Sequence, residues 1–268
     1  MPKDNRIFVV WVLLRGLPGN KWLKSVIMAL KTSNFTEAGR EQRYRYERKF
    51  TVPSHYSMSQ MQMVVKSNPA MFREIYNERK VNNIYMDTPN HQFYHDNVLG
   101  VSDRKKVRIR WYGLLSGEIR NPVLEIKIKK GLVGDKWSFP LQTFDFDNTM
   151  NKRKLQAIFQ ASNLPPSILE ITRNLGPTLV NSYHRKYYLS VNKAFRITLD
   201  SNISYYHIHQ NFNHINTIGH RDSQAVMELK YALDDDGAVD RITAHLPFRM
   251  DKKSKYISGI DCFNTFAQ

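Results

Sequence analysis

Charged residues recur at every second position inside segments whose other positions are apolar and strand-prone. Arg45, Glu47 and Lys49 alternate in one run, Lys106, Arg108 and Arg110 in a second, and Glu125, Lys127 and Lys129 in a third. Arg196 and Asp200, then Glu228 and Lys230, repeat the device. Because successive side chains of a strand point to opposite faces, each run carries one charged face and one apolar face. An arginine fork grips two phosphate oxygens at once, and a lysine offers a compact point charge. Glu47, Glu125 and Glu228 supply hard oxygen ligands of the kind that hold a divalent ion for phosphoryl transfer.

For any single run, a half-solvated strand is the simpler explanation. Five such runs in one chain shift the balance. Their apolar faces are large and branched and require cover by helices, which turns the charged faces toward a shared, water-filled interior. A closed antiparallel barrel does this without leaving edges. Crowded cations with few carboxylates are costly unless a multivalent anion sits among them, and a linear phosphate chain is the expected occupant. The sequence has no G-x-x-x-x-G-K loop, so any nucleotide would be held by side-chain cations instead of a backbone nest.

The elements expected to position these residues are strands interleaved with short helices, an α+β arrangement without regular βαβ alternation. Ser57 and Gln60 have capping-box spacing ahead of Met61, Val64 and Val65, and Pro69 is expected to open a short helix ending near Tyr76. Further helices are predicted over Met150 to Ala161, Pro166 to Leu175, and Ala238 to Leu246, the last stopped by Pro247. Residues 1–40 read as a leader, set off by the polar stretch Thr32 to Arg40, ahead of one domain over 41–268.

Forty Lys and Arg against 24 Asp and Glu give a formal charge of +16, which attracts polyanions. A nucleic-acid-binding module is the competing class, because Trp111, Tyr112, Tyr187, Tyr188, Tyr205 and Tyr206 lie among basic residues. The carboxylates on the charged faces argue against it, and no specific nucleic acid is expected. Cys262 is the sole cysteine, which excludes an internal disulfide, and it reads as a small, partly buried thiol. The apolar run Ile7 to Leu14 is too short to span a bilayer, and Arg15 follows it directly, so a cytoplasmic protein is expected. His207, His209, His214 and His220 read as a solvated strand end and loop, and Asp234 to Asp236 as a turn or helix start before Ala238.

In their order along the chain, several blocks resemble the VTC (vacuolar transporter chaperone) domain. They are Arg43 to Phe50, Val81 to Pro89, Val107 to Gly113, Leu124 to Lys129, Ser182 to Arg185, Arg196 to Asp200, Val226 to Tyr231, and Lys252 to Tyr256. The resemblance runs from about Arg43 to Gly259 and implies a triphosphate tunnel metalloenzyme fold, an eight-stranded antiparallel barrel with short helices packed outside. It also implies ATP-dependent growth of an inorganic polyphosphate chain, assisted by Mn2+ or Mg2+, by an enzyme that either stands alone or docks through its leader on a separate membrane partner. By the same resemblance Lys49, Arg108, Arg110, Lys127, Arg185, Arg196 and Lys255 look like phosphate-binding residues, and Glu228 looks like the metal-binding carboxylate. The alternation adds Lys129 and Lys230 to the cations and Glu47 to the metal ligands, with Arg108, Arg110, Lys127 and Glu228 nearest the chemistry. Where the wider superfamily tends to read Glu-x-Glu-x-Lys, this chain has Arg45 in place of the first Glu, which favours phosphate binding over metal binding at that strand. Hydrolysis of a triphosphate on the same fold, or binding of polyphosphate without turnover, are the alternatives.

Overall fold

The computed structural model describes residues 45–130, 133–208 and 219–264. Its long strands are β1 (Arg45–Val52), β2 (Arg73–Asp87), β3 (Asp103–Tyr112), β5 (Val123–Lys130), β6 (Val133–Pro140), β8 (Gly176–Leu189), β9 (Phe195–His207) and β11 (Ala225–Ala232). Shorter strands are β4 (Gly117–Ile119), β7 (Phe144–Phe146), β10 (His220–Arg221) and β12 (Arg249–Met250). The main sheet is antiparallel, in the order β12-β1-β11-β9-β8-β2-β3-β5-β6 with β10 added to β9, while β4 and β7 pair separately.

Among the described residues six helices accompany the strands: α1 (Met58–Lys66), α2 (Gln92–Val98), α3 (Lys152–Ala161), α4 (Pro166–Thr172), α5 (Asp236–Thr243) and, after the last strand, α6 (Lys255–Asn264). The capping box of α1 forms as its spacing requires: Gln60 N donates to Ser57 Oγ at 3.2 Å, and Ser57 N donates to Gln60 Oε1 at 2.8 Å. Asn151 caps α3 through its side chain. A 3-10 turn over Leu233–Asp235 leads into α5. Four predicted helices are present: the one opened by the capping box, and the three expected over Met150 to Ala161, Pro166 to Leu175 and Ala238 to Leu246, these three with shifted ends. The helix expected from Pro69 to Tyr76 is absent. Asn68 turns the chain there, accepting from Ala70 N at 3.1 Å, Met71 takes a φ of +52°, and by Arg73 the backbone is pairing with β8.

The apolar faces pack under helices, as the alternation requires. Val107, Ile109, Trp111, Leu124 and Ile126 form one core with Leu155 and Phe159 of α3, Ile168 of α4 and Phe146 of β7. Phe50, Ile197, Leu199, Met227 and Leu229 form another with Met61 and Val65 of α1 and Val239 and Ile242 of α5. A third cluster sets Tyr256 and Ile260 of α6 against Val81, Tyr85, Leu179, Tyr183 and Tyr205.

The charged faces point inward because the sheet curls. Six inter-strand steps separate β1 from β5 in the sheet order. At about 4.8 Å per step, a flat sheet would hold them roughly 29 Å apart. Lys127 Nζ of β5 nevertheless lies 3.8 Å from Glu47 Oε2 of β1. The expected eight-stranded closed barrel is corrected in two respects: among the described residues the main sheet has ten strands, and its backbone ladder does not close. Among the described residues β6 pairs only with β5, and the free side of β1 is taken by the two-residue β12. Among the described residues the ion pair between Lys127 and Glu47, not a backbone ladder, joins the two limbs of the curl.

Among the described residues no helix is long and apolar enough to cross a membrane, and the run Ile7 to Leu14 lies outside them. Leu124→Ala, at a position with no exposure, should cost about 2–5 kcal/mol of unfolding free energy in chemical denaturation. Leu114→Ala, at a position 79% exposed, should stay within about 0.5 kcal/mol of the parent.

Candidate functional site

Register places opposite charges across β1 and β11, with Glu47 facing Lys230 and Lys49 facing Glu228. Lys49 Nζ lies 3.1 Å from Glu47 and 3.9 Å from Glu228, and Lys230 Nζ lies 3.4 Å and 3.3 Å from the same two carboxylates. Glu228 also faces Arg185 at 3.5 Å and Lys255 at 3.8 Å. Burial alone would raise the Glu47 carboxyl, and Glu228 adds to that, but Lys230, Lys49 and Lys127 outweigh both and hold it at about 2. Burial opposes ionisation of Glu228 as well, yet Lys230, Arg185, Lys255 and Lys49 keep it far below the ordinary range. Both carboxylates are ionised at neutral pH.

Two further knots complete the face. Asp200, fully buried, takes both arms of Arg185 at 2.5 and 2.6 Å and the ammonium of Lys255 at 2.5 Å. Glu125 takes Arg108 at 2.6 Å, Lys136 at 2.5 Å and Arg110 at 3.5 Å. Arg110 Nε donates to Asn83 Oδ1 at 3.0 Å and its Nη2 to the Tyr183 hydroxyl at 3.3 Å, while Asn83 Nδ2 donates to Asn181 Oδ1 at 2.7 Å. Asn181 Nδ2 and Thr198 Oγ1 are buried without a partner. Asn83, on β2, lies between Arg110 on one side and Asn181 on the other.

The face holds nine cations in this network (Lys49, Lys106, Arg108, Arg110, Lys127, Lys136, Arg185, Lys230, Lys255) against the four carboxylates Glu47, Glu125, Asp200 and Glu228. Lys106 registers that excess. Its ammonium donates to Ser254 Oγ at 2.9 Å and has no carboxylate within ion-pair distance among the described residues. Burial pushes it down, and Lys49, Lys127, Arg104 and Arg108 push further, to about 7.

Of the residues nominated from the sequence, Lys49, Arg108, Arg110, Lys127, Arg185, Lys230, Lys255, Glu47 and Glu228 converge on this one face. Arg196, opposite Lys230, and Lys129, two residues beyond Lys127, share its orientation but make no ion pair among the described residues. Sequence reading passed over Lys136, Tyr183, Asn83 and Asn181. Lys136 and Ser138 do alternate with Trp137 and Phe139, a signal that was available, whereas the Asn83–Asn181 pair joins positions 98 apart. His207 closes β9, and His209 and His214 lie outside the described residues.

Glu47 and Glu228 fit a hard divalent ion, being adjacent, ionised and oxygen-bearing. No three His, Cys, Asp or Glu side chains converge as a ligand set among the described residues, so such an ion would take its remaining oxygens from water and phosphate.

Asp200→Ala would leave the buried Arg185 and Lys255 with Glu228 as their one remaining carboxylate, at 3.5 and 3.8 Å. The expected loss is about 3–5 kcal/mol in chemical denaturation, partly restored by added tripolyphosphate.

The VTC domain family model matches residues 44–264. Among curated proteins no match is found. Solved structures similar to this chain include a Pyrococcus horikoshii protein, 14% identical with a TM-score of 0.46, the match covering 82% of this chain and 99% of that one. A Hippeastrum candidate adenylyl cyclase, described as having a dominant triphosphatase activity, is 14% identical with a TM-score of 0.47 over 82% of this chain and 96% of that one. A Vibrio parahaemolyticus candidate adenylate cyclase is 13% identical with a TM-score of 0.44 over 80% and 96%. The family match takes in every charged strand of the inward face and most of the 268 residues, and the chain belongs to the VTC domain family.

Proposed function

We propose that the inward face is the active site of a polyphosphate polymerase, which moves the γ-phosphoryl group of ATP onto the end of an inorganic polyphosphate chain. The observation that carries this reading is the excess of nine cations over four carboxylates on one face of the curled sheet, with Lys106 held among its own sign. A ligand with several negative charges relieves such an excess.

Phosphoryl transfer asks the protein for position and charge neutralisation more than for covalent chemistry. Arg108 and Arg110 project from one limb of the curl and Lys49 and Lys230 from the other, so a phosphate chain between them is gripped on both sides. The terminal oxygen of the acceptor chain attacks the γ-phosphorus; a new P–O bond forms as the β–γ bridging bond breaks, and its electron pair leaves with ADP. That oxygen is already ionised near neutral pH, so no general base is needed. Arg110, tied to Asn83 and Tyr183, is preorganised to meet the charge that builds on the transferring group. When bound at Glu47 and Glu228, Mn2+ or Mg2+ would neutralise phosphate oxygens on the carboxylate side.

The test is incubation of purified protein with ATP and Mn2+, with and without a short polyphosphate primer, resolving ADP, phosphate and long chains. ADP matched by chain growth supports the polymerase. Free phosphate without chains replaces it with hydrolysis, and tight polyphosphate binding without turnover replaces it with a sensor. Arg110→Ala should lower turnover by about 100- to 1,000-fold; full activity would remove the assignment.

Lys106 gives a pH signature. With its ammonium titrating at about 7 in the free protein, it is largely neutral at pH 8, and a bound polyanion favours the charged form. Tripolyphosphate binding at pH 8 should therefore take up more protons in the parent than in Lys106→Met, measured by calorimetry in buffers of different ionisation heat. The affinity of the parent should also fall more steeply as pH rises from 7 to 9.

A further inference from the structure

At the Arg73 end of β2 the ion-pair lattice gives way to an aromatic rim. The Arg79 guanidinium carbon lies 4.5 Å from the ring centroid of Tyr76, 5.5 Å from that of Tyr112 and 5.6 Å from that of Tyr187. Tyr76 and Tyr187 meet edge to face at 5.6 Å and 86°. Register puts the group on the phosphate-facing side: Arg79 lies opposite Arg185, Tyr112 is two residues beyond Arg110, and Tyr187 lies opposite Thr198.

This rim differs from the rest of the face in what holds its cation. Arg108, Arg110 and Arg185 each have a carboxylate, whereas Arg79 has aromatic rings and, among the described residues, no carboxylate within ion-pair distance. Tyr76 and Tyr112 are 49% and 50% exposed, so both side chains are within reach of a ligand from solvent. The negative face of an aromatic ring repels phosphate and accepts a flat π-system or a guanidinium plane. Further phosphate is therefore the wrong ligand for this end. A nucleobase is the right one, since every base has a π-face that stacks on tyrosine and arginine.

The spacing agrees. Arg79 lies four residues along β2 from Asn83, the partner of Arg110, about 13 Å at about 3.3 Å per residue. That is the scale of the reach from the terminal phosphate to the base in an extended nucleoside triphosphate. We propose that Tyr76, Arg79 and Tyr112 form a base-stacking rim that holds the nucleoside of a bound triphosphate while its phosphates run inward past Arg110. The proposal rests on the reading of the inward face as a triphosphate site and adds a means of telling a nucleotide from bare tripolyphosphate. Stacking reads flatness more than edge pattern, so purine triphosphates as a class are the expected ligands.

Tripolyphosphate and ATP, titrated separately by calorimetry, divide the two ideas. In Tyr76→Ala and Tyr112→Ala, ATP affinity should fall about fivefold to a hundredfold while tripolyphosphate affinity stays within about twofold. Tyr76→Phe and Tyr112→Phe should bind ATP as the parent does, because stacking needs the ring and not the hydroxyl. An equal loss for both ligands, or no loss for ATP, would overturn the rim. A parent protein that binds neither ligand would instead overturn the underlying triphosphate site, and the rim with it.

Discussion

Cations crowded together repel one another, and a few carboxylates threaded through the inward face hold them there. Glu228 is the busiest of them, within 4 Å of Lys49, Arg185, Lys230 and Lys255. Asp200 does the same at greater depth, fixing Arg185 and Lys255 against each other. The carboxylates stop short of neutrality. What they achieve is a set of cations held in fixed directions with charge left over, the condition under which an arriving polyanion meets preorganised partners and little rearrangement is required.

The same charges shape the fold. Among the described residues the two limbs of the sheet do not pair with each other, and the contact of Glu47 with Lys127 draws them together. A backbone ladder would lock the limbs at one separation. Ion pairs through flexible lysine side chains allow the spacing to adjust to what lies between them, and their strength falls with salt where they reach the surface.

Much of this was legible in the sequence because a strand's period of two is dictated by the pleat. Glu47 and Lys49 cannot face inward unless Arg48 and Phe50 face outward, and Arg48 does pair with Tyr231 and Asp240 on the far side. Closure was not legible, because the fate of an edge is decided by partners distant in sequence. Helix α2 was hidden because its cap lies upstream: Asp87 and Thr88 accept from the amides of Gln92, Phe93 and Tyr94 across Pro89, and His91 at the cap position takes a left-handed conformation. Helix α6 was hidden because Lys252 to Tyr256 was legible as a basic motif and carried no start signal of its own. Lys255 serves both roles, opening the helix and reaching Asp200.

Helix α6 also makes the two ends of the inward face unlike. Tyr256 and Ile260 lie in an apolar cluster at the Tyr85 end, and Tyr256 is tied to the buried Asp87, while the Arg79 end bears the tyrosines. Inorganic polyphosphate reads the same from either terminus and contains no information about direction. For such a ligand, any sense of head and tail must come from the protein, and this off-centre wall is where the fold breaks the symmetry.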